Sequence, residues 1–264
     1  MKNKIIILLA CILLCILSIG LFLILNHNNE MEPIAKYNTD SMEESKIEPA
    51  YSVSYNYEEY KDIPINYICP SYAYDTSTPE QAIGIADYTF IGKVNKILRT
   101  EYRHPTQSVI DGEIKTVASP YTVYEVNVIR NINGNLVTNE NIEIAQNGGL
   151  EQDKLSYSFF EGMGLLNVGE YYILLGFAQP DGSILFDNPN FVISLGNLDE
   201  DLTQTISTKS TSEILSTTTI NSSYKPDSTP ADVINKYIKA AQEPIIPEDR
   251  QKEKSILYDV EYKN

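Results

Sequence analysis

Hydrophobic and polar positions fall into three regimes along the chain. Across residues 5–25 they do not alternate: IIILLACILLCILSIGLFLIL carries no charge and no proline. A helix needs about 20 apolar residues to cross a bilayer, so this run predicts a spanning helix. Further on, the period drops to two. Residues 88–98 place Phe90, Val94 and Leu98 on one face. Residues 121–130 set Tyr124, Val126 and Val128 against Glu125 and Asn127, and Ile142 and Ile144 flank Glu143. This alternation marks half-buried strands. The segment YYILLGFA, residues 171–178, is apolar on both faces and predicts a central strand. Residues 184–186 and 191–193 close the series. Turn chemistry separates these runs at Asn133-Gly134-Asn135 and Pro180-Asp181-Gly182. Helical spacing is the third regime. Thr78-Pro79-Glu80-Gln81 starts a short helix to about Ala86, and Ser228-Thr229-Pro230 starts one to about Gln242. The second helix puts Val233, Tyr237 and Ile238 on one side.

Between these regimes the composition shifts. Residues 27–50 are polar and acidic and read as a spacer. Residues 51–74 are rich in tyrosine, including Tyr55, Tyr57 and Tyr60, and predict an arm that wraps the domain or adds an edge strand. The stretch from Asn147 to Asn167 holds Gly148-Gly149 and Gly162-Met163-Gly164 and is too long for a simple hairpin, the kind of loop that is often functional. Residues 203–230 are rich in Ser and Thr, as in a linker. The expected layout is therefore a membrane segment at 1–26, a spacer at 27–50, a β domain at 51–200, a Ser/Thr-rich linker or arm at 201–230, and a helix with a charged tail at 231–264.

Three fates compete for the apolar run. Lys2 and Lys4 would hold the N-terminus in the cytoplasm and leave an uncleaved anchor with the rest exported. Ser18-Ile19-Gly20 fits a signal-peptidase site, but five more apolar residues follow it. Leu8-Leu9-Ala10-Cys11 resembles a lipobox, which makes Cys11 a candidate for lipidation, but only six apolar residues precede that cysteine. A spanning helix is the simplest account, and all three fates place the domain outside the cytoplasm.

Charge narrows the partners. The net charge is −16, and −18 beyond residue 26, because Lys2 and Lys4 carry two of the positive charges. Such a surface repels nucleic acid and anionic membranes. It leaves a membrane contact through residues 5–25 and an unknown protein or cell-wall partner. Of three cysteines only Cys69 is exported, so no internal disulfide can form in the domain. Nineteen tyrosines without one tryptophan, on an acidic Asn-rich chain, suggest an exported bacterial protein.

Candidate chemistry is sparse. No HExxH, CxxC, GxSxG or phosphate-cradling loop occurs, so no catalytic, cofactor-binding or metal site is predicted. His104, in Arg103-His104-Pro105, reads as a solvated loop residue, and Cys69 reads as a small buried or intermolecularly paired side chain before it reads as a nucleophile. Asp87 reads as turn or cap chemistry. Lys93, Lys96, Arg99, Arg103 and His104 form one basic cluster in an acidic chain, either a solvated strand face or a surface for an anionic glycopolymer. With Tyr55, Tyr57 and Tyr60 of the arm, Lys93, Arg99 and Arg103 are the candidate binding surface.

The order of segments carries a resemblance. Ala86-Asp87-Tyr88-Thr89-Phe90-Ile91-Gly92-Lys93-Val94, then residues 121–130, then Ile142-Glu143-Ile144 with Gly148-Gly149, then LNVGEYYILLG at 166–176, are similar to the netrin-module group, which includes the tissue inhibitors of metalloproteases. These segments also resemble segments of exported proteins of Gram-positive bacteria. The resemblance covers about residues 80–195. It implies a mainly β fold, a small OB-like antiparallel β-barrel with short flanking helices, preceded here by one N-terminal transmembrane helix. The inhibitors use a terminal cysteine to ligate a protease zinc. No cysteine stands at such a terminus here and the framework disulfides are missing, so the resemblance carries the fold and no inhibitory residue. The reading is a membrane-tethered, non-catalytic binding module at the bacterial cell surface. The alternatives are an exported hydrolase using dispersed carboxylates, or an external protease inhibitor.

Overall fold

The computed structural model describes residues 51–180, 182–218 and 229–250. The expected anchor, the spacer and Cys11 lie outside the described residues. Among the described residues no helix is long and apolar enough to cross a membrane.

The chain is mainly β, as its alternation predicts. Among the described residues nine strands form one hydrogen-bonded network: β1 (Tyr51–Val53), β2 (Ile65–Ile68), β3 (Tyr88–Ile110), β4 (Glu113–Asn133), β5 (Asn141–Leu150), β6 (Tyr157–Phe160), β7 (Tyr171–Ala178), β8 (Ile184–Phe186) and β9 (Val192–Gly196). Five of them pair in a circuit that returns on itself. β3 pairs with β4, β4 with β5, β5 with β8, β8 with β7, and β7 with β3. All these pairings are antiparallel except β5–β8. The even-numbered residues Phe90, Val94, Tyr124, Val126 and Val128 are buried, together with Ile144, so the period-two face is the core face. β7 is buried from Tyr172 to Gly176, as an apolar two-faced strand should be.

The assembly is not a clean barrel, and the reason is its extra strands. β1 adds to β3, β9 adds to β7, and β6 joins β5 to β2. The tyrosine-rich arm thus both wraps the domain and supplies edge strands. The stretch 147–167 is less open than its glycines suggest. Its start completes β5, and its middle forms β6. Gly148, at φ +108, lets Phe159 of β6 lie against the backbone, where an added Cβ would meet the ring at 2.4 Å.

Among the described residues four α-helices flank the sheet: α1 (Pro79–Ile85), α2 (Glu200–Thr208), α3 (Thr211–Thr218) and α4 (Pro230–Ala240). α1 starts with a capping box between Thr78 and Gln81 and has Pro79 in its first turn, as its sequence predicts. α4 is capped by Thr229 and buries Ile234, Tyr237 and Ile238. α2 and α3 occupy part of the expected Ser/Thr-rich linker, a departure from the sequence reading. Asp199 caps α2 by accepting from the Leu202 amide, and Ile206 and Ile214 are buried while Ser207, Thr208, Thr211 and Ser212 are exposed. Arg130 of β4 closes the other end of α2, donating Nη1 to the Ile206 and Lys209 carbonyls at 2.9 and 2.8 Å. A cation there satisfies the last carbonyls of the helix.

After α4 the chain crosses α1. The Ile245 amide donates to the Glu80 carbonyl at 2.9 Å, and a Cβ on Gly84 would sit 1.8 Å from the Ile245 oxygen. The same segment carries Arg250. Its Nε donates to the Ile85 carbonyl at 3.0 Å and its Nη2 pairs with Asp87 Oδ1 at 2.8 Å. Asp87 Oδ2 accepts from the Ala178 amide at 3.0 Å. The residue read as local turn chemistry is a tie between α1, β7 and the end of the described chain.

Candidate functional site

β3 and β4 outgrow their neighbours. β1 reaches β3 only at Thr100–Tyr102, and β5 reaches β4 only from Tyr121 onward. Residues 103–119 are therefore a ribbon of two strands. At its base, two residues of β3 lie between the pairs Arg103–Ser119 and Thr106–Val117, where β4 has only Ala118. Pro105 has no amide to give the ladder, and His104 takes φ +54, so the strand bulges there. At the tip Asp111 and Gly112 have φ +55 and +80, the two-residue turn that suits a hairpin's twist. The tip carries Val109 and Ile114 opposite each other, 73% and 52% exposed.

Below the bulge, alternation puts Arg99, Glu101 and Arg103 on one face of β3. Arg99 pairs with Glu101 at 2.7 Å and with Glu143 of β5 at 2.8 Å, and Arg103 pairs with the other oxygen of Glu101 at 2.6 Å. Both arginines donate Nε and Nη2 to Glu101, so each forks onto one carboxylate oxygen and leaves Nη1 outside these pairs. Burial alone would raise the Glu101 carboxyl, but the hydrogen bonds from Arg103 and Arg99 outweigh it and hold it below the usual range. The Arg103 guanidinium also lies 4.8 Å above the Tyr121 ring. Asp187, just past β8, is half-buried, and burial raises its carboxyl. Its field and that of Arg103 act on Tyr121 in opposite directions, and burial pushes that phenol up.

A cleft of about 650 Å³ opens here, within the usual size of ligand sites, roughly 300–1,000 Å³. The ribbon base supplies Glu101, Arg103, His104 and Tyr121, and β1 supplies Tyr51 and Ser52. The β7–β8 connection adds Gln179 and Pro180, with Leu185 beside them. Tyr51 is 39% exposed and rests on Tyr102 with ring centres 4.9 Å apart. A second cleft of about 470 Å³ shares His104 and runs between Val117, Asn147 and Phe160.

Two of the six predicted surface residues meet at this site. Arg103 lines the cleft, and Arg99 joins it through Glu101. Lys93 lies instead over Tyr171, 5.4 Å from the ring centre. Lys96 pairs with Glu125 at 3.3 Å, so the basic run is interleaved with carboxylates. Tyr55, Tyr57 and Tyr60 are half-buried. The Tyr55 and Tyr102 hydroxyls are 3.2 Å apart, Tyr57 bonds Thr100 at 2.9 Å, and Tyr60 meets Tyr55 edge-on. Burial pushes the Tyr57 phenol up to about 12. These three rings dock the arm onto the sheet. Cys69 is exposed and donates to Glu161 at 3.1 Å, a bond that raises its thiol. His104 is exposed as expected and edges Tyr121.

Sequence reasoning missed Tyr51, Tyr121, Gln179 and Asp187 as site residues. A usable signal was Asp111-Gly112 between alternating hydrophobics, which marks a hairpin and makes its base a corner. Among the described residues no group of three or more His, Cys, Asp or Glu side chains could hold a metal ion. Compared with protein-family models and with curated proteins, the chain matches none.

Proposed function

We propose that this protein is a membrane-tethered, extracytoplasmic binding module that holds a protein or cell-wall partner without catalysis. The uncharged run at 5–25 behind two lysines supports the tether. The pairing order supports an OB-like barrel. Its five strands pair first to second, second to third, third to fifth in parallel, fifth to fourth, and fourth back to first. In OB barrels the face of the second and third strands, with the loops joining strands one to two and four to five, takes ligands. The observation that carries the binding reading is the placement of the 650 Å³ cleft between the β3–β4 ribbon base and the β7–β8 connection, the corresponding corner here.

Photo-crosslinking in intact cells tests it. A photoreactive residue at Ser52 or Gln179 is expected to give a covalent adduct that the same residue at Lys61, a solvated position, does not. No adduct from either cleft position removes the reading. Fractionation of the chain with and without residues 1–26 tests the tether, which falls if both partition alike.

One observation favours a second reading, an exported hydrolase: the half-buried Asp187 carboxyl, raised by burial and acting on Tyr121. Hydrolysis of a cell-wall substrate that Asp187→Asn abolishes, with the melting temperature not lowered, would establish it.

A further inference from the structure

The ribbon-base cleft combines paired arginine and glutamate charges with unspent hydrogen-bonding capacity. Arg99 and Arg103 face Glu101 and Glu143, two charges of each sign. A ligand that is itself strongly charged must break one of these pairs to gain its own, and removing one partner from a hydrogen-bonded pair is costly. A polyanion is also repelled by the chain's net charge of −16. The pairs nonetheless hold rigid, planar groups at the cleft wall, with Nη1 of Arg103 outside its bond to Glu101. Gln179 adds an amide whose Nε2 makes only long contacts, 3.4 Å, to the Phe177 and Ala178 carbonyls. Ser52 and the Tyr51 hydroxyl, which accepts from Gln152 at 2.9 Å, bring two more hydroxyl groups.

Next to these polar groups the cleft presents apolar surface: the Tyr51 ring, Pro180 and Leu185. A sugar ring has the matching anatomy. Its C–H faces stack on apolar and aromatic surface, and its hydroxyl rim donates and accepts in the plane of guanidinium and amide groups without carrying charge. We propose that this cleft binds a neutral oligosaccharide, as found in the uncharged stretches of cell-wall glycans. The inference rests on the cleft being the binding site proposed above and names what it holds.

The test is calorimetric titration of the full-length chain in lipid nanodiscs with chitopentaose and with cellopentaose, beside a basic decapeptide and a single-stranded oligonucleotide. One of the two neutral oligosaccharides is expected to bind. Tyr51→Ala and Gln179→Ala are each expected to weaken it at least tenfold, while Lys61→Ala leaves it unchanged. Gln179 lies in a surface turn, so its variant keeps the test decisive if Tyr51→Ala unfolds β1. Silence from both oligosaccharides, equal binding by the Gln179 variant, or binding of the peptide or oligonucleotide alone overturns the proposal. Crosslinking separates the two levels. Adducts to protein only, with no oligosaccharide binding, reject the glycan and keep the binding site; no adduct at all rejects both.

Discussion

An arginine–carboxylate tie stands at each end of the part of β3 that lies in the closed circuit. At the start, Asp87 holds Arg250, and both side chains are nearly enclosed, 15% and 11% exposed. At the other end Glu101 holds Arg99 and Arg103, with 30% of Arg99 still in solvent. The chemistry is the same and the surroundings differ. The groups around the Asp87–Arg250 pair are structural: the Ala178 amide that ends β7 bonds Asp87, and Arg250 meets the Ile85 carbonyl that ends α1 and the Phe177 ring 5.4 Å from its guanidinium. Around Glu101 part of each guanidinium stays outside the pairs, and the wall it forms borders a cleft. Closed ties of this kind report on folding, and open ones are available for recognition.

The largest effect should come from breaking the enclosed tie. Asp87→Ala removes the carboxylate that pairs with Arg250 Nη2 and accepts from the Ala178 amide. Removing one partner of a buried pair costs about 3–5 kcal/mol. Chemical denaturation should show that loss for Asp87→Ala and for Arg250→Ala. The double variant should lose less than the two losses added together, because both remove one interaction. Strict additivity would mean the pair is not coupled, and the contrast between the two ends would collapse.

A smaller loss is expected at Gly84, where the chain leading to Arg250 crosses α1. An added methyl overlaps the Ile245 backbone oxygen, and one of the two segments must shift. Overpacking of this kind costs about 1–3 kcal/mol. Hydrogen exchange should speed up at the Ile245 amide, which bonds Glu80. Unchanged exchange there would show that the crossing does not depend on the glycine.

The two ends also differ in how legible they are in the sequence. The strands and their core face follow from alternation alone, as at Phe90, Val94 and Tyr124. α1 follows from Thr78, Pro79 and Gln81, because capping is local. Asp87 was visible as a residue at a junction, but its partner lies 163 positions away, and no local pattern links them. The ribbon was hidden for another reason. Pro105 reads as a break, yet it sits in a bulge that the ladder tolerates. Lys93, Lys96, Arg99, Arg103 and His104 read as a basic cluster because composition does not show that Glu101 stands between the arginines on their own face while Glu143 reaches Arg99 from β5. α2 and α3 were masked by their serines and threonines, although Leu202 and Ile206 are four apart and both face the core, Ile206 fully buried and Leu202 half-buried. Local rules therefore recovered α1, α4 and the core strands, and the ribbon, α2, α3 and the site needed the tertiary pairings.

The open end should respond mildly and with a definite pH sign. Glu101→Gln keeps the shape and removes the charge from bonds to two arginines. Hydrogen bonds to charged groups are worth about 1.5–3 kcal/mol, and partial exposure lowers this to about 1–2 kcal/mol at neutral pH. The native state holds the Glu101 carboxyl below its ordinary value, so its contribution is complete above about pH 4.3, the ordinary glutamate value, and fades as pH falls through the lower folded value. The stability gap between wild type and Glu101→Gln should therefore close on acidification. Asp187 has the opposite sign. Its folded carboxyl is raised, so the native state binds the proton more tightly than the unfolded chain does. Stability attributable to it falls as pH climbs from about 3.9, the ordinary aspartate value, through the raised one. Asp187→Asn should remove that decline and leave the variant equal to or more stable than wild type at pH 7. Denaturation midpoints from pH 3 to pH 7 measure both. A Glu101→Gln loss as large as that of Asp87→Ala, or one that grows in acid, would mean the open end is built for folding like the closed one.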